Sequence, residues 1–134
     1  MNVLDEKISR VQRQLLQDWK VPAHHIGYEL GRKGITDDEI IPFLMTLQHP
    51  TFFTLDGDFY RPFLCHARSC LIMLDVPRDQ SASFVRRCLR HPDFDTQAKR
   101  MGSVIRASSN GLFVWRLRAQ IEAFIGWGSG PRLR

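Results

Sequence analysis

Residues Thr51 to Phe59, T-F-F-T-L-D-G-D-F, run from β-favouring apolar residues straight into two aspartates one residue apart. Such a run, closed by Asp and Gly, reads as a buried strand and the loop leaving its end. The flanking sequence alternates between short apolar runs and helical spacing. Asn2 to Leu4 is long enough only for a short first strand. Ile8, Val11, Leu15 and Trp19 recur at spacings of three and four, which predicts an amphipathic helix stopped by Pro22. Ala23 to Gly27 is a second strand candidate. From Thr36 to Leu47 a helix is marked by Thr36 as N-cap, by Glu39 completing a capping box, and by Ile40, Phe43, Leu44 and Leu47 on one face. Leu71 to Leu74 is another strand, and Ala82, Val85, Cys88 and Leu89 line one side of a further helix. The order β-α-β-α-β-loop-β-α predicts an α/β fold, a mainly parallel sheet flanked by helices on both faces.

Beyond His91-Pro92 the pattern changes. Val104-Ile105-Arg106 and Leu112-Phe113-Val114-Trp115 enclose Ser108-Ser109-Asn110-Gly111, and Asn-Gly between β-favouring runs is a hairpin signal. The expected organisation is an α/β core over residues 1–92, a C-terminal β-hairpin extension over 93–127 packed on the same domain, and a loose basic tail over 128–134. A chain of 134 residues is large enough to bury roughly two-thirds of its unfolded surface in one domain.

Lys and Arg number 19 against 14 Asp and Glu, a net charge of +5, and several of the acids are confined to three clusters. The remaining surface is therefore more basic than the total suggests, which favours phosphate-rich partners. No apolar run approaches the length of a membrane span, and Asp5 and Glu6 stand where a signal peptide would carry its apolar core. Cys65, Cys70 and Cys88 lack the number and spacing of a disulfide framework. Reduced thiols and a cytoplasmic location are the expectation.

The three acidic clusters are Leu4-Asp5-Glu6 after the first strand, Thr36-Asp37-Asp38-Glu39 at a helix start, and Asp56-Gly57-Asp58 after the later strand. Carboxylates at the C-terminal ends of parallel strands lie where open α/β sheets place their chemistry. Oxygen ligands converging from separate segments suit a hard cation such as Mg²⁺, which can activate a water for attack on phosphorus.

Taken in order, L-D-E, T-D-D-E and T-L-D-G-D-F resemble the PIN-like domains related to VapC-type toxins. The resemblance is nearest to a compact bacterial PIN-like group carrying L-D-E-N, S-D-x-E-I and T-x-D-x-D-F, and it covers roughly residues 2–76. It implies a PIN-like fold and a metal-dependent ribonuclease that hydrolyses RNA phosphodiester bonds with Mg²⁺ or Mn²⁺. Asp5, Asp37, Asp56 and Asp58 match the metal-holding and catalytic acids, with Thr54 and Glu39 in support. It further implies the toxin of a toxin–antitoxin pair, a small antitoxin protein as partner, and a homodimer as an assembly. Lys7 departs from the group, which carries Asn there.

Each motif also has a plainer structural account. Acids in a first helical turn are stabilised by the helix dipole, and Asp-Gly-Asp is ordinary turn chemistry. Cys65-His66, Cys70, Cys88 and His91 contain zinc-ligand residue types without the spacing of a standard finger. Arg86, Arg87 and Arg90 share a helix flank, while Arg106, Arg116 and Arg118 accompany the hairpin beside Trp115. Arginine beside an aromatic suits single-stranded nucleic acid, so Lys7, Arg86, Arg87 and Arg90 are nucleic-acid candidates. The alternative to a nuclease is a non-catalytic PIN-like module that binds nucleic acid or protein. A phosphatase-like or DNA-directed metal hydrolase with the same acids is a third reading.

Overall fold

The computed structural model describes residues 1–128. The sequence-predicted tail therefore has only Gly128 among the described residues. The strands are β1 (Asn2–Leu4), β2 (His24–His25), β3 (Thr51–Thr54), β4 (Cys70–Asp75), β5 (Ser103–Ser108), β6 (Gly111–Arg116) and β7 (Ala123–Ile125). The helices are α1 (Arg10–Asp18), α2 (Asp37–Leu44), α3 (Ser81–Arg90) and the short α4 (Gln97–Arg100). All seven strands join one sheet in the order β2-β1-β3-β4-β5-β6-β7. β1 to β5 are parallel, and β6 and β7 are antiparallel to their neighbours. The chain is thus α/β with a mainly parallel mixed sheet, an architecture consistent with a PIN-like fold.

Strand alternation builds both faces of the core. Val3, Phe52, Leu71 and Val104 stand side by side across four strands, and Leu4, Phe53, Ile72 and Ile105 form the adjoining row. The first row packs with Ile40 and Leu44 of α2, the second with Leu16 of α1 and Ala82, Val85 and Cys88 of α3. Because neighbouring strand residues point to opposite faces, a continuous apolar run is what a sheet covered on both sides requires.

The four crossovers between parallel strands are not alike. β1-α1-β2 steps one way across the sheet over the α1 face, and β2-α2-β3 steps back over the other face, so the two share a hand. The β3–β4 connection, with buried Phe59 and adjoining Leu64, keeps that hand. β4-α3-β5 continues in the same direction but crosses the α1 face, so its hand is opposite. One hand among such crossovers is strongly preferred. The exception sets α3 beside α1, and among the described residues it leaves β5 to β7 without a helix on the α2 face.

Several elements differ locally from expectation. Val11, assigned to the apolar face of α1, is 68% exposed, while the polar Gln12 is buried. The reason is a tertiary bond: Gln12 Oε1 accepts a 2.8 Å hydrogen bond from the Ala82 backbone amide at the start of α3. α2 keeps its capping box, with Thr36 Oγ1 and the Thr36 amide both donating to Glu39 Oε1. It ends at Leu44, before the expected Leu47, because the next amides tighten into i→i+3 bonds from Thr46 to Phe43 and from Leu47 to Leu44. β2 is only two residues long.

The hairpin forms over Ser103–Ser108 and Gly111–Arg116, and its first strand pairs in parallel with β4. The extension therefore continues the core sheet, and β7 adds a further strand that the sequence pattern did not announce. Gly111 cannot carry a side chain here: a Cβ would lie 2.7 Å from the Phe124 ring, and its φ is +154°. Cys70 and Cys88 are buried in the α1/α3 core, where burial pushes the Cys88 thiol up to about 12, while Cys65 lies against the opposite cluster. All three are free, so the zinc-ligand types are dispersed through the fold. Among the described residues no helix is long and apolar enough to cross a membrane.

Candidate acidic cleft

The chain leaves β1 for β2 on one side and returns to β3 on the other, so the crevice beyond the C-terminal ends of β1 and β3 is the topological switch point. Open α/β sheets bind ligands at that position because the two departing connections diverge and leave a gap. A cleft of about 450 Å³ lies there, lined by acidic Asp5, Glu6, Asp37 and Asp56, basic Lys7 and Arg78, and apolar Ile35, Ile40 and Leu55.

Asp5 directly follows β1 and is buried. Its amide donates to the Phe53 carbonyl, continuing the β1–β3 ladder for one more step. Thr54, the last residue of β3, is wholly buried, and its Oγ1 donates to Asp5 Oδ2 at 2.7 Å. The same oxygen accepts from the Asp56 amide at 3.0 Å, so one hydroxyl positions both acids. Below them His25 Nε2–H donates to the Asp5 carbonyl at 3.0 Å, and the imidazole stacks on Tyr28. Burial, with Arg13 nearby, pulls the His25 pKa below its ordinary value, favouring the neutral ring that makes this contact.

Asp37 is the first residue of α2 and reaches the cleft from the face opposite α1. Its carboxyl is held above the ordinary carboxylate range, first by desolvation, then by the hydrogen bond and negative charge of Asp56, with Asp5 adding and Lys7 opposing. The sign is that of carboxylates competing for one site, which a proton or a cation relieves. Glu6 turns to the adjoining loop, its Oε1 accepting from the Gly34 amide at 2.9 Å.

Two expected site residues stand elsewhere. Asp58 does not line the cleft. Asp56 Oδ1 caps the 3-10 turn Gly57–Phe59 by accepting from the Asp58 amide, and the Asp58 carboxylate faces solvent and pairs with Arg61 at 3.3 Å. Of the D-G-D pair, Asp56 lines the cleft, and Asp58 lines a neighbouring pocket that it shares with Asp37 and Asp38. Glu39 is likewise outside the cleft. The Thr36 backbone and side chain and then Arg32 hold it down to about 2, and it acts by fixing the start of α2 and hence Asp37.

Arg78 is the cleft residue that the sequence reading missed. Its signal was Asp75-Val76-Pro77-Arg78 at the C-terminal end of a parallel strand, the same end that carries the acids. Arg86, Arg87 and Arg90 line a separate pocket with His91, Pro92 and Trp127. Around the hairpin, Arg106 pairs with Asp75 and lies over Phe113, Arg116 donates to the Lys99 carbonyl and Ser103 Oγ, and neither lines the cleft.

Among the described residues no three His, Cys, Asp or Glu side chains gather tightly enough to form a metal cage. Asp5, Asp37 and Asp56 instead line an open cleft with oxygen donors only. That donor chemistry fits a hard divalent ion which keeps part of its water shell, and does not suit zinc held by sulfur and nitrogen.

Fold and cleft together define an α/β protein with an acidic, cation-compatible crevice at its sheet switch point. Comparison with protein-family models, with curated proteins and with solved structures found no match.

Proposed function

We propose that this chain is a PIN-like, Mg²⁺- or Mn²⁺-dependent endoribonuclease acting in the cytoplasm as the toxin of a toxin–antitoxin pair. The observation that supports it most is the meeting of Asp5, Asp37 and Asp56, from three separate segments, in one cleft at the switch point. These acids would hold the ion, with Thr54 fixing the orientation of Asp5 and the backbone of Asp56. A bound divalent ion would supply a water of lowered pKa and neutralise charge on the phosphate. Lys7 and Arg78, which also line the cleft, would bind non-bridging phosphate oxygens and orient the strand. Asp37, which lines the cleft at the start of α2, would hold the ion directly or through a bound water. The antitoxin and a homodimer rest on the resemblance of the three acidic motifs alone.

A second reading, a non-catalytic module of the same fold, draws support from Lys7, an ammonium lining the cleft that would hold the ion. Both are tested by incubating the purified protein with RNA and Mn²⁺, with a chelator control and Asp56→Asn, and by measuring Mn²⁺ binding directly. Metal-dependent cleavage lost in the variant is the outcome for a nuclease. A folded protein that neither binds Mn²⁺ nor cleaves is the outcome for the module.

A further inference from the structure

We infer that the pocket formed by Arg86, Arg87 and Arg90 with Trp127 is a second RNA-binding site, outside the cleft, for the backbone and bases of a single strand. The pocket has a volume of about 350 Å³ and no acidic residue in its lining. Among the described residues none of the three arginines pairs with a carboxylate. Two of them are held by aromatic rings: the Arg86 guanidinium lies 3.8 Å from the Trp19 ring centre, and that of Arg87 lies 4.1 Å from Trp127 and 4.8 Å from Phe84.

A guanidinium lying on a ring keeps its N–H edge free for phosphate oxygens and offers its outer face for stacking. Trp127 is itself fixed, its Nε1 donating to the Ser108 carbonyl at 2.8 Å and its ring meeting Phe84 at 62°. His91 makes no competing demand. Its Nδ1 accepts from the Asp93 amide and its Nε2 donates to the Gly126 carbonyl, which fixes the ring in the wall. Cationic groups tracking a backbone beside planar surfaces for bases are what single strands require.

The site is placed to extend the cleft. Arg78 lines the cleft, and the chain runs from it through the 3-10 turn Arg78–Gln80 into α3, which carries the three arginines. The rise of such segments bounds the backbone separation of Arg78 and Arg86 at roughly 13 Å, within reach of a short single strand engaged at both ends. The choice of RNA over another polyanion rests on the reading of the cleft as an RNA-cleaving site.

The test is anisotropy of a labelled oligouridylate with the full chain in EDTA, where no metal contributes, across a salt series. The Arg86→Gln/Arg87→Gln variant is expected to bind about tenfold more weakly, and its salt slope to fall by about 1.4, at about 0.7 per single-strand phosphate contact. Arg87→Lys keeps the charge and loses the flat face, so it should weaken the oligouridylate more than an abasic strand of equal length. Arg90→Gln guards against misfolding: its side chain is exposed and among the described residues no ring contact holds it, and the slope should fall by about 0.7 with an unchanged melting temperature. Unchanged affinity and slope in these variants overturn the site. Displacement of the RNA by oligoglutamate at equal charge overturns the RNA assignment in favour of an acidic peptide. A parent that binds through these arginines but never cleaves removes the nuclease reading and leaves the second site standing.

Discussion

Thr54 and Asp5, 49 residues apart in the chain, are joined by a buried 2.7 Å hydrogen bond from Thr54 Oγ1 to Asp5 Oδ2. Because the same hydroxyl also accepts from the Asp56 amide, the relation between the first and third acidic motifs passes through one oxygen atom.

Replacing that oxygen by a methyl group isolates its role. Thr54→Val keeps the shape of the side chain but leaves Asp5 Oδ2 and the Asp56 amide without this partner in a buried setting. The expected loss is about 1–3 kcal/mol of stability in urea titration. Weaker Mn²⁺ binding should accompany it. A variant as stable as the parent would show that water replaces the hydroxyl at no cost.

The crowded carboxylates predict a gain from removing one. Asp37 titrates above its ordinary value of 3.8 in the folded protein. Its contribution is therefore fully present below the unfolded value and is lost as pH rises through the folded one. At neutral pH without metal, Asp37→Asn should be more stable than the parent, with the difference vanishing in acid. Solvent screening at this exposed position limits the gain to on the order of a few tenths of a kcal/mol. Melting curves in EDTA at acid and neutral pH measure it, and a loss at neutral pH would contradict the repulsion.

His25 carries the opposite linkage. Its pKa is lowered from 6.5, so its contribution is present above the unfolded value and is lost as pH falls through the folded one. Stability should begin to fall below that unfolded value, with a slope of at most about 1.4 kcal/mol per pH unit from this one group. His25→Gln should start lower by about 1 kcal/mol, through loss of the bond to the Asp5 carbonyl, and should show a flatter acid limb. Parallel acid limbs in the two proteins would remove His25 as the titrating group.

Lys7 is an exposed cation in the cleft. Lys7→Asn removes a like charge from beside the proposed ion, and Mn²⁺ affinity by calorimetry should rise about threefold to tenfold, the scale of a partly screened charge pair. The Michaelis constant for RNA should rise as a phosphate contact is lost. Metal affinity that falls would mean that Lys7 orients the acids, not that it opposes the ion.

Much of the fold was legible because burial on both sheet faces leaves a local signature. The runs at Thr51 to Thr54 and Leu71 to Leu74, the Thr36–Glu39 capping box and the Asn-Gly turn are all statements about neighbours in sequence, and all appear. Val11 and Gln12 show where that logic stops. Helical spacing assigns the apolar residue to the core, but the amide at the start of α3 demands an acceptor, and Gln12 supplies it. The same holds for D-G-D. Local spacing cannot tell that one aspartate caps its own turn while facing Asp5 and Asp37, and that the next pairs with Arg61 in solvent.

The sequence by itself determined the types of the elements from β1 to α3 and of the hairpin, the parallel core and the confinement of acids to strand and helix ends, since these follow from periodicity, capping and turn chemistry acting over a few residues. Only the tertiary structure decided which acids meet, that α3 crosses on the α1 face, and that its arginines lie against Trp19 and Trp127. Those outcomes depend on strand order, crossover side and burial between segments tens of residues apart, and no local pattern carries that information.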